Sequence, residues 1–226
     1  TLNNSDLKQF SYITSHNLRA PLSNLTGLLN LLEDIDIQDE ELKEIISGFE
    51  RSTQQLNDTV NDLVNVIIIK DKPSIEREPI VIREVFENIL NQLNFMITNL
   101  NPVIEIDVEK VTTLQVNKSY FESILLNLTT NALRYHEPSR QLTITFTARN
   151  QGKETQLCFK DNGLGIDLKR HKEKVFGLYQ RFHDNPDSKG LGLYLVKSQV
   201  ESMGGSIGIE SEVGIGTTFT ITFKNE

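Results

Sequence analysis

Cysteine is almost absent from the sequence, because Cys158 is the only one in 226 residues. A single thiol cannot form an internal disulfide, and such low cysteine usage is typical of proteins from reducing compartments. Long apolar runs are also missing, since residues 66–69 form the longest one and a bilayer span needs about 20 residues. No cleavable signal pattern opens the chain. We therefore expect this chain to lie in the cytoplasm. The polar start at Thr1 suggests a fragment, so a membrane anchor in a longer protein stays open.

Positive charge is in shorter supply than negative charge. The 23 Lys and Arg residues against 31 Asp and Glu residues give a formal net charge of −8. This acidic balance argues against nucleic acid or an anionic membrane surface as the main partner. The composition is otherwise that of a globular protein, with 38% hydrophobic and 24% charged residues, so the chain can form a packed core.

Glycine is scarce at the start of the chain, where Gly27 and Gly48 are the only two before residue 76. The remaining eleven glycines follow, and the net charge changes from −6 over residues 1–75 to −2 over residues 76–226. The segment 73–79 has a proline at each end, which predicts a linker. We therefore predict two domains, residues 1–75 and residues 76–226.

The first domain has the periodicity of a helical hairpin. On a wheel of 100° per residue, Leu7, Thr14, Leu22, Leu25, Leu29 and Leu32 fall within about 40° of Leu18. A loop follows at 34–39, in which Asp39 could cap the next helix. In that helix two rows recur every seven residues: Leu42, Phe49, Leu56 and Leu63, and Ile46, Thr53, Val60 and Ile67. Two helices cannot cover so much apolar surface, so we predict a homodimer that forms a four-helix bundle through residues 1–75.

The second domain alternates between helical and extended patterns. The pattern predicts helices over 80–100, 118–135 and about 191–202, the last one ended by the Gly-Gly pair at 204–205. Strands are predicted at 103–108, 142–148, a segment ending near Phe159, 206–210 and 217–223. We assign Cys158 to the core because its neighbours are apolar. The fold class is α+β, an α/β sandwich with helices on one face of a mostly antiparallel or mixed sheet.

His16 stands apart from the apolar stripe of the first helix, at about 160° from Leu18 on the same wheel. An isolated histidine at such a position is usually a plain surface residue. Here Pro21 follows five residues later, inside a helix that is otherwise well patterned. An internal proline removes a backbone hydrogen bond and bends the helix, which indicates that a bend near the histidine is useful.

Three polar side chains share one flank of the predicted helix 118–135. Asn127, Asn131 and Arg134 fall at about −100°, −60° and −120° from Leu128. Two carboxamides at i and i+4 can offer oxygens to a hard cation or to its waters, and an arginine can contact phosphate. The alternative is a solvated flank in which the asparagines serve solubility.

Three glycine-containing segments follow, each of which is weak evidence alone. Asp161-Asn-Gly-Leu-Gly-Ile166 permits a tight turn, Lys189-Gly-Leu-Gly-Leu193 opens a helix where free N–H groups could meet an anion, and Gly214-Ile-Gly-Thr217 precedes the last strand. The sequence lacks the phosphate-binding loop of the commonest NTPases and the dinucleotide-binding fingerprint, which excludes those classes. It also shows no zinc-ligand spacing, and we interpret His136, His171 and His183 as surface residues.

The segment His16-Asn-Leu-Arg-Ala-Pro21 resembles the phospho-acceptor box of sensor histidine kinases. The resemblance implies that His16 is phosphorylated on a ring nitrogen, which suits a neutral imidazole near pH 7. Asn17 stands where most of the family has an acidic residue proposed as the general base. It cannot accept a proton but could orient the ring, so the base stays open. Ala20 stands where phosphatase-competent members carry Thr or Asn, which argues against phosphatase activity.

Residues 76–226 resemble the ATP-binding domain shared by histidine kinases, gyrase, the Hsp90 chaperones and the MutL proteins, because all four motifs occur in order. The resemblance implies that ATP and Mg²⁺ bind here. Asn131 would ligate Mg²⁺, assisted by Asn127 directly or through water. The remaining implied contacts are Arg134 with phosphate, Tyr135 beside the nucleotide, Asp161 with the adenine amino group, Gly163 and Gly165 next to it, Lys189, Gly190 and Gly192 around the phosphates, and Thr217 at the adenine pocket.

The residues between the glycine motifs, 167–189, would form the lid over ATP in such a domain. Val175-Phe-Gly-Leu-Tyr-Gln-Arg181 resembles a phenylalanine-containing segment of the kinases, and Arg181 would reach the γ-phosphate during transfer. Basic residues at 169, 170, 172 and 174 also lie in this stretch. We interpret them as a solvated loop in preference to phosphate ligands.

Three functions fit these motifs. The leading hypothesis is an autophosphorylating histidine kinase core that passes its phosphoryl group to an aspartate of a response-regulator receiver domain, which this chain lacks. The second is a pseudokinase, a dimeric signalling scaffold that binds nucleotide without efficient transfer, and Asn17 is the residue that supports it. The third is a chaperone- or gyrase-like ATPase, which would have no use for His16 before a proline.

Overall fold

The computed structural model divides the chain into two compact units, Thr1–Lys72 and Pro73–Glu226. The structure describes residues 25, 27–29, 32, 39, 40, 42–49, 52, 53, 56, 76–171, 174–177, 180 and 191–224. The segment from His16 to Pro21 therefore lies outside the described residues. Each unit is described by itself.

The described residues of the first unit are helical on both sides of Asp39. Helical backbone occurs at 25, 27–29 and 32, and again at 40, 42–49, 52, 53 and 56. The predicted cap is confirmed, because the backbone N–H of Leu42 donates to Asp39 Oδ1 at 3.1 Å. The two heptad rows differ in exposure. Thr53 is buried, whereas the other row exposes its described members, Leu42, Phe49 and Leu56.

The second unit contains two sheets in the described ranges. Its elements are β1 (Glu78–Val81), α1 (Ile82–Gln92), α2 (Asn94–Leu100), β2 (Val103–Asp107), β3 (Thr113–Val116), α3 (Lys118–Arg134), β4 (Thr143–Gln151), β5 (Glu154–Asp161), α4 (Leu168–His171), α5 (Gly192–Ser202), β6 (Ser206–Glu212) and β7 (Gly216–Lys224). The five-stranded sheet has the order β2-β4-β5-β7-β6. Only β2 and β4 run parallel in it, so the predicted mixed sheet is confirmed.

The core of the second unit lies between this sheet and the helices. Alternate residues of β4, including Ile144 and Phe146, are buried against α1, α3 and α5. Phe86 of α1 packs edge-on against Phe146, with ring centroids 5.0 Å apart, and Phe159 of β5 lies 6.2 Å from Phe86. Aromatic rings packed in this way add to the stabilisation from burial. The cluster holds the sheet and the helices in one layered body.

The predicted helix over 80–100 is wrong in two places. Residues 78–81 form β1, which pairs antiparallel with β3, and the helix is interrupted at Leu93 between α1 and α2. Pro79 lies within β1, so the end of the predicted linker is part of a sheet. A proline is tolerated there because both strands of a two-stranded sheet are edge strands. The strand β3 was not predicted, since four residues carry little periodicity.

The assignment of Cys158 to the core is also wrong. Side chains alternate between the two faces of a strand, so a residue between the buried Leu157 and Phe159 must point to the opposite face. Cys158 is accordingly half-buried on that other face. Partial burial raises the pKa of its thiol.

Candidate functional site

Helix α3 carries the polar flank that the sequence singled out. The helix begins where the side chain of Asn117 accepts a hydrogen bond from the Tyr120 backbone N–H at 3.0 Å. Its apolar face is fully buried. Asn127 and Asn131 are half-buried at the edge of that face, and Arg134 is exposed in the last turn. The three side chains therefore lie on the accessible side of a helix that the core holds in place.

The carboxamide of Asn127 is oriented by the helix itself. Its Nδ2 donates to the backbone carbonyl of Ser123 at 2.9 Å. Its Oδ1 therefore points away, toward Gly192, the first residue of α5. A Cβ on Gly192 would lie 2.8 Å from this oxygen, so any larger residue at the start of α5 would push the Asn127 carboxamide out of its present position.

The start of α5 has the features of an anion-binding helix terminus. Leu191, which precedes the helix, gives no side-chain hydrogen bond to the first turn. The first backbone N–H groups of a helix lack intrahelical partners and carry partial positive charge. In α5 these groups begin at Gly192, next to the oxygen of Asn127.

Asp161 ends β5 and is buried, with 8% of its surface exposed. The backbone N–H of Gly163 donates to its Oδ1 at 2.8 Å. Burial raises the pKa of the Asp161 carboxyl, whereas the backbone hydrogen bonds from Gly163 and Thr217 and the positive charge of Arg140 act in the opposite direction. A buried acceptor of this kind can recognise a donor such as an exocyclic amino group.

The turn after Asp161 lies directly against the C-terminus of α3. The backbone N–H of Leu164 donates to the Tyr135 carbonyl at 2.9 Å. A Cβ on Gly163 would lie 2.5 Å from the same oxygen, so only glycine fits. Tyr135 ends α3, and its backbone N–H donates to the carbonyl of Asn131 at 2.9 Å. The backbone thus joins the asparagine flank to the Asp161 turn.

Gly165 makes a second close backbone contact, with the end of β6. Its φ is +68°, in the left-handed region that favours glycine, and a Cβ there would collide with the backbone carbonyl oxygen of Glu212 at the end of β6. The neighbouring Leu164 carbonyl accepts a hydrogen bond from the Gly214 backbone N–H at 2.7 Å. The turn after β5 is therefore packed closely against the β6–β7 hairpin.

Thr217 is buried at the start of β7, opposite Asp161 in the sheet. Its Oγ1 lies 2.8 Å from Ser211 Oγ. Ser211 in turn accepts a hydrogen bond from the Ile166 backbone N–H at 2.8 Å and donates to the Gly216 carbonyl at 2.9 Å. The sequence analysis missed Ser211, because its partner at Ile166 is 45 residues away and no local pattern marks it.

Arg140 is the other residue that sequence reasoning missed. Its Nε donates to the carbonyl of Asn162 and its Nη2 to the carbonyl of Gly163, both at 2.8 Å. The guanidinium therefore clamps the backbone of the turn that carries Asp161. Asn162 adds a second anchor, since its Oδ1 accepts from the Thr143 backbone N–H at 2.8 Å.

The lid segment is described only in part. Val175 is buried, and Phe176 packs against the core with Lys197 Nζ 5.7 Å from its ring centroid. Three nucleotide-site candidates, Arg181, Lys189 and Gly190, lie outside the described residues, as do His16 and Asn17. Among the described candidates, Asn127 and Gly192 form one contact group, and Tyr135, Asp161, Gly163, Gly165 and Thr217 form a second. Helix α3 connects the two groups and also carries Asn131 and Arg134, whose side chains belong to neither.

Comparison with known proteins identifies both units. Residues 6–66 match the family described as the His Kinase A (phospho-acceptor) domain. Residues 116–226 match the family described as Histidine kinase-, DNA gyrase B-, and HSP90-like ATPase. The chain belongs to the sensor histidine kinases. Neither a chaperone nor a gyrase assignment accounts for the phospho-acceptor domain.

Curated relatives of this histidine kinase chain are similar to it along nearly its whole length. The signal transduction histidine-protein kinase ArlS of Staphylococcus haemolyticus is 30% identical over 96% of this chain and 48% of its own length. The sensor protein SrrB of Staphylococcus aureus is 29% identical over 95% of this chain and 37% of its own length. The chain thus spans about half the length of these relatives or less.

Solved histidine kinase structures share the fold. Full-length ShkA in complex with AMPPNP has a TM-score of 0.79 and 22% identity, with 96% of this chain and 46% of that one covered. The Acinetobacter baumannii histidine kinase AdeS has a TM-score of 0.65 and 21% identity over 92% of this chain and 97% of that one. Within the described part of this chain, no helix has the length and apolar character needed to cross a membrane.

Proposed function

We propose that this chain is a histidine kinase core that transfers the γ-phosphoryl group of ATP to His16 and then to an aspartate of a response-regulator receiver domain. Residues 1–75 would form the dimerisation and phospho-acceptor domain, and residues 76–226 the catalytic ATP-binding domain. The observation that carries the proposal is that α3 connects the asparagine flank, the start of α5 and the buried Asp161 in one chain with a phospho-acceptor domain.

ATP would be recognised at two places in this arrangement. The Asp161 carboxylate, buried and fixed by the Gly163 backbone N–H, would accept a hydrogen bond from the adenine amino group. The free N–H groups at Gly192 would face the phosphates, together with Lys189 and Gly190. Arg134 is exposed and free to extend to phosphate, and Tyr135 and Thr217 would line the nucleotide pocket. The ShkA structure, solved with the ATP analogue AMPPNP, supports this choice of ligand by fold likeness.

Mg²⁺ fits the donors on α3. The Oδ1 of Asn127 and the side chain of Asn131 make no hydrogen bond to any other described residue, so both carboxamide oxygens can serve a hard cation or its waters. When bound, the ion would neutralise charge on the phosphates. Asn131 would be the direct ligand and Asn127 the supporting one.

The transfer to His16 needs one nucleophile and one proton acceptor. A ring nitrogen of the neutral imidazole attacks the γ-phosphorus, the bond to the bridging oxygen breaks, and ADP leaves. The other ring nitrogen then gives up its proton. Asn17 has no basic group, so it would orient the ring while water or another side chain takes the proton. Arg181 would stabilise charge on the phosphoryl group. In the second transfer the receiver carboxylate attacks phosphorus and the N–P bond breaks.

Dimerisation through residues 1–75 is part of the proposal. It is supported by the exposed Leu42, Phe49 and Leu56 at heptad spacing. We further propose that these units operate in the cytoplasm, where receiver domains and ATP are available. Neither the geometry nor the relatives named above favour the pseudokinase alternative.

The proposal is tested with the purified chain, Mg²⁺ and γ-labelled ATP. We expect the parent to retain acid-labile, base-stable label, and both His16→Gln and Asn131→Ala to reduce it at least 100-fold. Asn91→Ala removes an exposed asparagine from α1 and is the matched control, with label expected at the parental level. Asn17→Glu should increase the rate, because it supplies a base.

Two outcomes would contradict the proposal. Parent protein that binds ATP but acquires no label, with or without Asn17→Glu, would point to a scaffold. Label that persists in His16→Gln would place the acceptor elsewhere.

A further inference from the structure

One buried residue of α5 is polar where the packing calls for an apolar side chain. The buried residues of α5 are Leu195, Val196, Gln199 and Val200, and Gln199 is only 2% exposed. Its Nε2 donates to Ser123 Oγ on α3 at 2.9 Å. Its Oε1 is buried without a hydrogen-bond partner among the described residues. Burying an unsatisfied carboxamide oxygen costs stability, so packing alone does not explain this residue.

The Gln199–Ser123 bond and the Gly192–Asn127 approach lie on the same helix–helix contact. Gly192 and Gln199 are seven residues, or about two turns, apart on one face of α5. Ser123 and Asn127 are four residues apart on one face of α3. The contact therefore runs in opposite directions along the two helices, with a tight approach at one end and a directional hydrogen bond at the other.

Apolar contacts between α5 and α3 specify the position of one helix along the other less sharply than a directional hydrogen bond does. Val196 and Val200 of α5 belong to the same apolar cluster as the buried face of α3, and their contacts have no directional preference. A hydrogen bond between two buried side chains tolerates little shift along the helix axis. Fixing register is the best-attested use of buried polar groups in helix packing.

We propose that Gln199 and Ser123 are a positioning pair that sets the register of α5 along α3 and so holds Gly192 opposite Asn127. The proposal rests on the proposed function, in which these two residues serve the nucleotide phosphates and their cation. A shift of α5 would move the N–H groups at Gly192 relative to Asn127 Oδ1, which lies 2.8 Å from where a Cβ on Gly192 would be.

The test uses ADP with Mg²⁺, which binds without transfer, and the full chain in five variants. Gln199→Met keeps the volume but removes the hydrogen bond, Ser123→Ala removes the acceptor, and the double variant removes both. Ser123→Thr keeps a hydroxyl. Ser202→Ala is the matched control, because the Ser202 hydroxyl donates to the Ser198 carbonyl within α5 and not to another helix.

We expect each single variant to weaken ADP binding by about three- to ten-fold, the equivalent of one hydrogen bond. The double variant should bind as weakly as the single variants and no more so, whereas Ser123→Thr and Ser202→Ala should bind within two-fold of the parent. KM for ATP should rise without a fall in kcat. The midpoint of thermal unfolding of Gln199→Met should stay level or rise, because the unsatisfied oxygen is removed. A merely structural residue would lower that midpoint.

Binding within two-fold of the parent in both single variants, or losses that multiply in the double variant, would overturn the pairing. A parent that binds ADP but transfers no phosphate would contradict the proposed function alone.

If the parent binds no ADP, the register is measured directly by NMR of the full chain labelled with ¹⁵N-asparagine and ¹⁵N-glycine. Gln199→Met and Ser123→Ala should then shift the Asn127 side-chain amide and the Gly192 amide alike, and unchanged signals would overturn the pair.

Discussion

The two units differ in how far their apolar side chains are buried. In the second unit, Phe86, Phe146 and Phe159 are buried together between a sheet and its helices. In the first unit, the described row Leu42, Phe49 and Leu56 is exposed, although its spacing is that of a helix–helix interface. The second unit has a core of its own, whereas the described apolar row of the first has the spacing needed to meet a second copy.

This difference fits a division of labour within the kinase. A nucleotide site needs donors and acceptors held to within fractions of an ångström, and close packing supplies that. Two glycines of the second unit show it, since a Cβ on Gly163 would collide with the backbone of Tyr135 and a Cβ on Gly165 with the backbone of Glu212. In the first unit, a Cβ on Gly27 or Gly48 would meet no other atom within 4 Å. A phospho-acceptor helix must instead stay accessible, first to the ATP-binding domain and then to a receiver domain.

The largest effect should come from adding one methyl group in the packed turn of the second unit. We expect Gly165→Ala to lower the free energy of unfolding by about 3 kcal/mol. Alanine would be held in the left-handed region, and its Cβ would collide with the Glu212 carbonyl. Gly152→Ala is the matched control, because Gly152 also has a positive φ, +64°, but open space around it. Gly152→Ala should lower the free energy of unfolding by only about 1 kcal/mol. Urea unfolding measures both, and equal losses would show that the close approach is unimportant.

An intermediate effect is expected on assembly. Phe49→Ser should weaken dimerisation by about 10- to 100-fold, because each protomer would bury one phenylalanine fewer. Val213→Ser is the control from the second unit, where Val213 is 65% exposed and Phe49 is 63% exposed. Sedimentation equilibrium measures the dissociation constants. A similar change in both variants, or in neither, would mean that exposure in the first unit does not mark an interface.

The smallest expected effect is a pH-dependent change in stability, which follows from the charge on the buried Asp161 carboxyl. Because the folded-state pKa of Asp161 is raised, the folded protein holds this proton more tightly than the unfolded chain. That contribution is fully present below the ordinary pKa of Asp and is lost as the pH rises through the raised value. Asp161→Asn should therefore be at least as stable as the parent at pH 7, with the difference disappearing in acid.

Asp161→Asn should weaken nucleotide binding even though it does not lower stability. The amide oxygen is a weaker acceptor than the carboxylate for a hydrogen bond from the adenine amino group. Thermal unfolding and ADP titration between pH 4 and pH 8 separate the two effects. A variant that is less stable at pH 7 and binds ADP normally would contradict both the burial argument and the proposed role.

Much of this fold could be predicted because its periodicity is local. Helix α3 was predicted to within one residue, and the Asp39 cap follows from residue type and position alone. Strand β1 was not predicted, since its four residues are divided between the predicted linker and the predicted helix and owe their conformation to pairing with β3. Cys158 was misplaced because apolar neighbours were weighed above the two-residue alternation of a strand.

The candidate site was predicted as a set of motifs but not as a network. Residue types marked Asn127, Asn131 and Asp161, because their chemistry suits a nucleotide and its cation. Arg140, Ser211 and Gln199 act through partners 22 to 76 residues away, and no spacing rule reaches that far. These are the residues that hold the motifs in place, and only the three-dimensional contacts reveal them.

The central claim is that the nucleotide site of the second unit serves His16 of the first. The most direct measurement is to locate the phosphate after incubation with ATP and Mg²⁺, by fragmentation mass spectrometry at neutral pH, where phosphohistidine survives. We predict phosphate on His16 of the parent and none in Asn131→Ala. Phosphate on a different residue, or on His16 undiminished in Asn131→Ala, would contradict the account.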